Sequence, residues 1–76
     1  MFEFNIIENY GILSTKADKT GEEWAKEVNL VSWNRREPKL DIREWNSDHT
    51  KMNKGLTFTE EEAEILLAVL KERYQK

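Results

Sequence analysis

The chain has 76 residues, about half of an ordinary ~150-residue domain, so residues 1–76 are expected to form one domain with one core and no second active-site lobe. Hydrophobic residues make up 38% and charged residues 36%, a balance that puts a lone copy near the lower limit of stability and favours a partner copy. There is no cysteine and one histidine, His49, which excludes disulfide staples, thiolate metal sites and cysteine nucleophiles; no cofactor and no metal site is expected.

Twelve Lys and Arg stand against fifteen Asp and Glu, a formal charge of −3, which taken alone argues against a nucleic-acid partner. The charge segregates, however. Residues 1–9 hold Glu3 and Glu8 and no cation, and residues 59–76 are acidic on balance. The stretch from Lys16 to Lys54 is mildly basic, so a local patch is the relevant quantity. The N-terminus lacks a basic leader and no apolar run approaches the ~18 residues of a membrane span, which predicts a cytoplasmic protein with no membrane partner.

In chain order, Phe2 to Lys16 carries Phe4, Ile6, Ile7, Tyr10, Ile12 and Leu13 among polar residues, a mixture suited to a strand bent near Gly11. Ala17-Asp18-Lys19-Thr20-Gly21 supplies turn chemistry. From Glu23 to Asn34, Trp24, Lys26, Val28 and Leu30 share one parity and Val31 and Trp33 the other, which predicts a bulge or a two-sided strand, with Trp24 in the core. Pro38 marks the start of the next strand, Lys39 to Trp45. Pairing Val28 and Leu30 with Ile42 and Leu40 gives one greasy face and leaves Val31, Trp33, Lys39, Arg43 and Trp45 on an open one. After a loop, 46–53, Lys54 to Phe58 forms a short fourth strand.

Thr59-Glu60-Glu61-Glu62 is a capping box that opens a helix to about Tyr74. Ala63, Leu66, Leu67, Leu70 and Tyr74 form one apolar stripe, expected to cover the sheet. Ile65, Ala68 and Val69 form a second, expected to meet the same helix of another subunit. The predicted fold class is α+β: a four-stranded antiparallel sheet and one C-terminal helix (β-β-β-β-α), dimerising through the helix.

No catalytic constellation is visible, so no enzyme is expected. Asp41 and Glu44 fall on opposite faces of a strand, and His49 reads as a solvated loop histidine. Trp33 and Trp45, interleaved with Arg35, Arg36, Lys39 and Arg43, suit single-stranded nucleic acid: bases stack on indoles for ~1–3 kcal/mol each while the cations neutralise phosphates. Duplex, whose bases are already stacked, fits less well. The same residues also suit a second mini-core or a subunit contact, a peptide-binding face, or an RNA-binding module.

Lys39-Leu40-Asp41-Ile42-Arg43-Glu44-Trp45, followed by Lys54-Gly55-Leu56-Thr57-Phe58-Thr59 and an apolar helix, resembles the single-stranded-DNA-binding domain of the transcriptional coactivator positive cofactor four, especially its bacterial relatives of the YdbC type. The resemblance covers residues 24–74. It implies a homodimer with a curved sheet that binds single-stranded DNA with little sequence preference, in transcription, replication or repair, near the nucleoid of a bacterium. By position it makes Trp33 the stacking aromatic, Lys26 a groove cation, and Arg43 and Lys54 backbone contacts. Trp45 falls on the first of two family aromatics and Asn46 on the second. Arg35, Arg36 and Lys39 are assigned by neighbourhood.

Overall fold

The computed structural model describes residues 3–75. Four strands, β1 (Phe4–Ala17), β2 (Glu23–Trp33), β3 (Lys39–Asn46) and β4 (Leu56–Phe58), form one antiparallel sheet in chain order, and α1 (Glu60–Tyr74) follows. The element order is the one the sequence predicts; of the first expected strand, Phe2 lies outside the described residues.

The sheet owes its shape to β1. Its pairing with β2 slips between Ile6 and Glu8, between Asn9 and Gly11, and between Ile12 and Ser14, so Ile7, Tyr10 and Leu13 are each an extra residue. Bulges bend a strand and raise its twist, and three in succession coil it. The expected bend near Gly11 is therefore one of three. Between β2 and β3 the register runs without a break, with Val28 opposite Ile42 and Leu30 opposite Leu40, the pairing the pattern predicts. β2 is thus the two-sided strand, not the bulged one, and Lys26 sits on the Val28 and Leu30 face, away from Trp33.

Coiling decides where the core lies. Trp45 is opposite Ala25, near one end of β2, and Trp33 closes the other end. At about 3.3 Å per residue a flat strand would hold those positions about 25 Å apart, yet the two indole centroids lie 6.4 Å apart with planes at 10°. The face that carries them has closed on itself. Its residues Glu27, Asn29, Val31, Asp41 and Trp45 are buried, whereas Val28, Leu30, Leu40 and Ile42 on the greasy face are only half-buried. The aromatic face, expected to be open, is the core.

The capping box forms as predicted: the Glu62 amide donates to the Thr59 hydroxyl at 3.1 Å and the Thr59 amide to the Glu62 carboxylate at 3.0 Å. Packing on the sheet is slight. α1 touches β3 and β4 alone, and no residue of it is fully buried. Of the stripe expected to cover the sheet, Ala63 and Leu66 are half-buried while Leu67, Leu70 and Tyr74 remain exposed.

Candidate nucleic-acid interface

Trp45 is fully buried, in contact with Phe4, Trp33 and His49 at ring separations of 5.0, 6.4 and 5.5 Å. A base cannot stack on a sealed ring, which corrects its assignment to an open platform: Trp45 belongs to the mini-core. Trp33 is half-buried, tilted against Phe4 at 6.0 Å. Trp24, expected in the core, is also half-buried, and its indole N–H donates to Asp18 at 3.0 Å, pinning the β1–β2 turn. That same carboxylate accepts from the Thr20 hydroxyl at 2.6 Å. The Thr20 hydroxyl first and the Trp24 indole second hold the Asp18 pKa down at about 2.

Arg43 lies with its guanidinium carbon 4.5 Å from the centre of a Trp33 ring. Its Nε and Nη2 bind both oxygens of Asp41 at 2.7 and 2.8 Å, and Nη1 donates to the Asn53 carbonyl at 3.4 Å. The Thr57 hydroxyl completes the cluster, donating to Asp41 at 2.8 Å. Arg43 is 13% exposed and Asp41 1%, so this is a buried bidentate pair within β3, and its bonds to Asn53 and Thr57 tie β3 to the loop before β4 and to β4. The guanidinium predicted to meet phosphate is committed to the fold, and Asp41, whose partner spacing suggested no role, is what commits it.

The other cations stay in water. Lys26, Arg35, Arg36, Lys39 and Lys54 are exposed. Lys26 and Lys54 share an open cleft with Glu44, which Lys16 pairs at 3.1 Å. The hydrogen bond from Asn53 first, and Lys16 second, lower the Glu44 pKa. Gly55, next to Lys54, is required by proximity: a Cβ there would run into the Arg43 Cβ and the Ile42 carbonyl. Arg35 and Lys39 stand at the opposite end of the sheet. Asn34 and Arg35 both take positive φ, 52° and 64°, in a turn closed by the Arg36 amide on the Trp33 carbonyl at 3.0 Å. Such a turn suits Asn-Gly. The Arg35 side chain reaches Glu3 at 3.1 Å.

Two residues hold structural roles that the pattern does not assign. His49 is not a free loop histidine: its Nε2 lies 3.0 and 2.9 Å from the two oxygens of buried Glu27. Asn46, at the second family aromatic, is buried and holds the 46–53 loop. Its amide donates to Glu22 and Thr50, each at 3.0 Å, and its carbonyl accepts from the Lys51 amide at 2.8 Å. An Asn followed by the Asp48 and Thr50 of a turn is the signal that pointed there. Ile65, Ala68 and Val69, assigned to a subunit contact, are all exposed along one flank of α1.

Among the described residues, no group of three or more His, Asp or Glu is placed to hold a metal ion, and no helix is long and apolar enough to cross a membrane. Residues 21–69 match the family model described as Transcriptional Coactivator p15 (PC4). An uncharacterized protein of Treponema pallidum (strain Nichols) is 41% identical over 69 residues, covering 91% of this chain and 76% of its own length. The matched span holds β2, β3, β4, the linking turns and most of α1, and with them every cation discussed above except Lys16. The chain belongs to the transcriptional coactivator p15 (PC4) family.

Proposed function

We propose that the protein is a homodimeric module that binds single-stranded DNA with little sequence preference, acts in transcription, replication or repair, and catalyses no reaction. One observation carries the proposal: within the family-matched span, Lys26, Arg35, Arg36, Lys39 and Lys54 are all solvent-exposed and Trp33 is half-buried. Exposed ammonium and guanidinium groups neutralise phosphates and release counterions, and the exposed part of the Trp33 indole is left for contact with a base. In this scheme Arg43 and Trp45 support the surface rather than form it. Binding to DNA would place the protein at the nucleoid of a bacterial cell.

Dimerisation is supported by area. A compact monomer of 9.1 kDa should expose about 4,900 Å², whereas this chain exposes 6124 Å². The excess of about 1,200 Å² exceeds the ~800 Å² that each partner of a standard interface buries. Large apolar side chains are among the exposed ones, with Ile65 60% and Val69 58% exposed on α1.

Anisotropy of labelled single-stranded and duplex oligonucleotides across a salt series tests the proposal. Single strands should bind more tightly, with affinity falling steeply as salt rises. Binding independent of salt, or equal for the duplex, would refute it. An RNA strand of the same sequence gives the comparison for an RNA-binding role.

A further inference from the structure

One part of the concave face is neither sealed nor cationic. An open cleft of about 530 Å³ lies over β1, walled by Phe4, Ile6 and Ile12, with Asn9, Glu27 and His49 supplying its polar groups. Glu27, one of the lining residues, is 6% exposed. It accepts from Asn29 at 3.1 Å and faces His49 at 2.9 Å, while Asn9 donates to Asn29 at 2.6 Å. The imidazole is 38% exposed, tilted on Trp45 at 46°, and held by a backbone with φ of 60°. Left-handed backbone at a non-glycine residue is retained where the surroundings over-determine it, and such sites cluster where ligands bind. Here Asn46, Thr50 and the Glu27 carboxylate hold the loop in that shape.

The chemistry of this cleft selects its occupant. The lining carries Glu27 and neither Lys nor Arg, so nothing in it neutralises phosphate and the sugar–phosphate backbone is disfavoured there. Apolar walls and a half-open aromatic ring suit a flat heterocycle, and a carboxylate with an amide beside it accepts from N–H donors. We propose that the cleft is a base subsite that takes one unpaired nucleobase carrying an exocyclic amino group, stacked on His49 with that amino group directed to Glu27. Cytosine offers N4–H₂ where thymine offers the O4 acceptor, and an acceptor facing a carboxylate is unfavourable. The proposal rests on the single-stranded-DNA reading and adds a preference to it: within a broadly tolerant binder, one position favours cytosine over thymine.

The test compares labelled oligo-dC and oligo-dT of equal length, two strands that differ in this group, in the proton on N3 and in the thymine methyl. Oligo-dU, which lacks the methyl, controls for the last. The intact protein should bind oligo-dC at least about fivefold more tightly than oligo-dT or oligo-dU. Glu27→Gln, whose amide also presents a donor, should bring the affinities together while both strands still bind. His49→Ala should weaken oligo-dC more than oligo-dT. Asn9→Ala, on exposed β1, serves as a second variant should Glu27→Gln fail to show a cooperative thermal transition. Equal affinity of the intact protein for the three strands overturns the subsite and leaves single-stranded binding standing. Failure to bind any strand overturns the function on which it rests.

Discussion

Arg43 shows how a residue chosen for one chemistry can serve another. On sequence it is a cation beside two tryptophans. In the fold its guanidinium is stacked over Trp33 and bound through two nitrogens to Asp41, which has no other cation within reach of its oxygens among the described residues. Removing one member of a buried pair leaves the other charged and unpaired, at a cost of roughly 3–5 kcal/mol. Arg43→Ala should therefore lower the urea midpoint sharply, and the loss of DNA binding should track loss of fold; normal stability with weakened binding would return Arg43 to phosphate contact. Arg35 presents the opposite balance. Its φ of 64° is strained for any residue that carries a Cβ, at roughly 1–2 kcal/mol, and its ion pair with Glu3 is a surface one worth at most about 1 kcal/mol. Arg35→Gly should raise the thermal midpoint by a few degrees while weakening single-strand affinity. A lowered midpoint would show that the Glu3 contact outweighs the strain.

At the scale of elements, the hairpin between β1 and β2 depends on one carboxylate. Asp18 accepts from the Thr20 amide and hydroxyl, the Glu22 amide and the Trp24 indole, and its pKa is lowered from 3.8 to about 2. A carboxyl with a depressed folded pKa adds stability that is present above the unfolded value and is lost as pH falls through the folded one. The hairpin should accordingly weaken between about pH 4 and pH 2. Amide exchange at Gly21 and Glu22 measured across that window checks it: Asp18→Asn should flatten the acid dependence, and an unchanged profile would show that the turn does not rely on the ionised form. The turn, the β2–β3 register and the helix cap were legible because each is local: Asp, Thr and Gly at turn spacing, parity over a few residues, Thr three before Glu. The coil of β1 was not. Its bulges leave a sequence trace, large apolar residues at 7, 10 and 13, but spacing of three fits neither a flat strand nor a helix well, and only the register shows that each is an inserted residue. From that single omission follows the inversion of the sheet faces. Parity assigned Trp33 and Trp45 correctly to one side, and only curvature could bring opposite ends of β2 together and turn that side into a core.

For the molecule as a whole, coiling has a second effect. By spending its aromatic side chains on a concave core of Val31, Trp45 and a buried polar network, the fold leaves the aliphatic face of Val28, Leu30, Leu40 and Ile42 partly uncovered, with α1 resting on its margin. The helix carries few contacts of its own chain, so its stability depends on its cap and on whatever lies against Ile65, Ala68 and Val69. If a second copy covers that flank, a charge placed there separates the subunits before it disturbs the sheet, because the buried residues all lie elsewhere. Ile65→Glu should shift sedimentation equilibrium toward the monomer, lower the helical signal, and leave the near-ultraviolet signature of the packed Trp33 and Trp45 largely intact. Salt dependence of oligonucleotide binding should become shallower in the same variant, since each half-molecule presents half the cations. An Ile65→Glu protein that remains dimeric would move the interface off α1, to the bulged ridge of Ile7, Tyr10 and Leu13, each at least half exposed. A wild-type protein that is monomeric at every concentration would leave an accessible surface about 1,200 Å² larger than a compact lone chain of this mass is expected to carry.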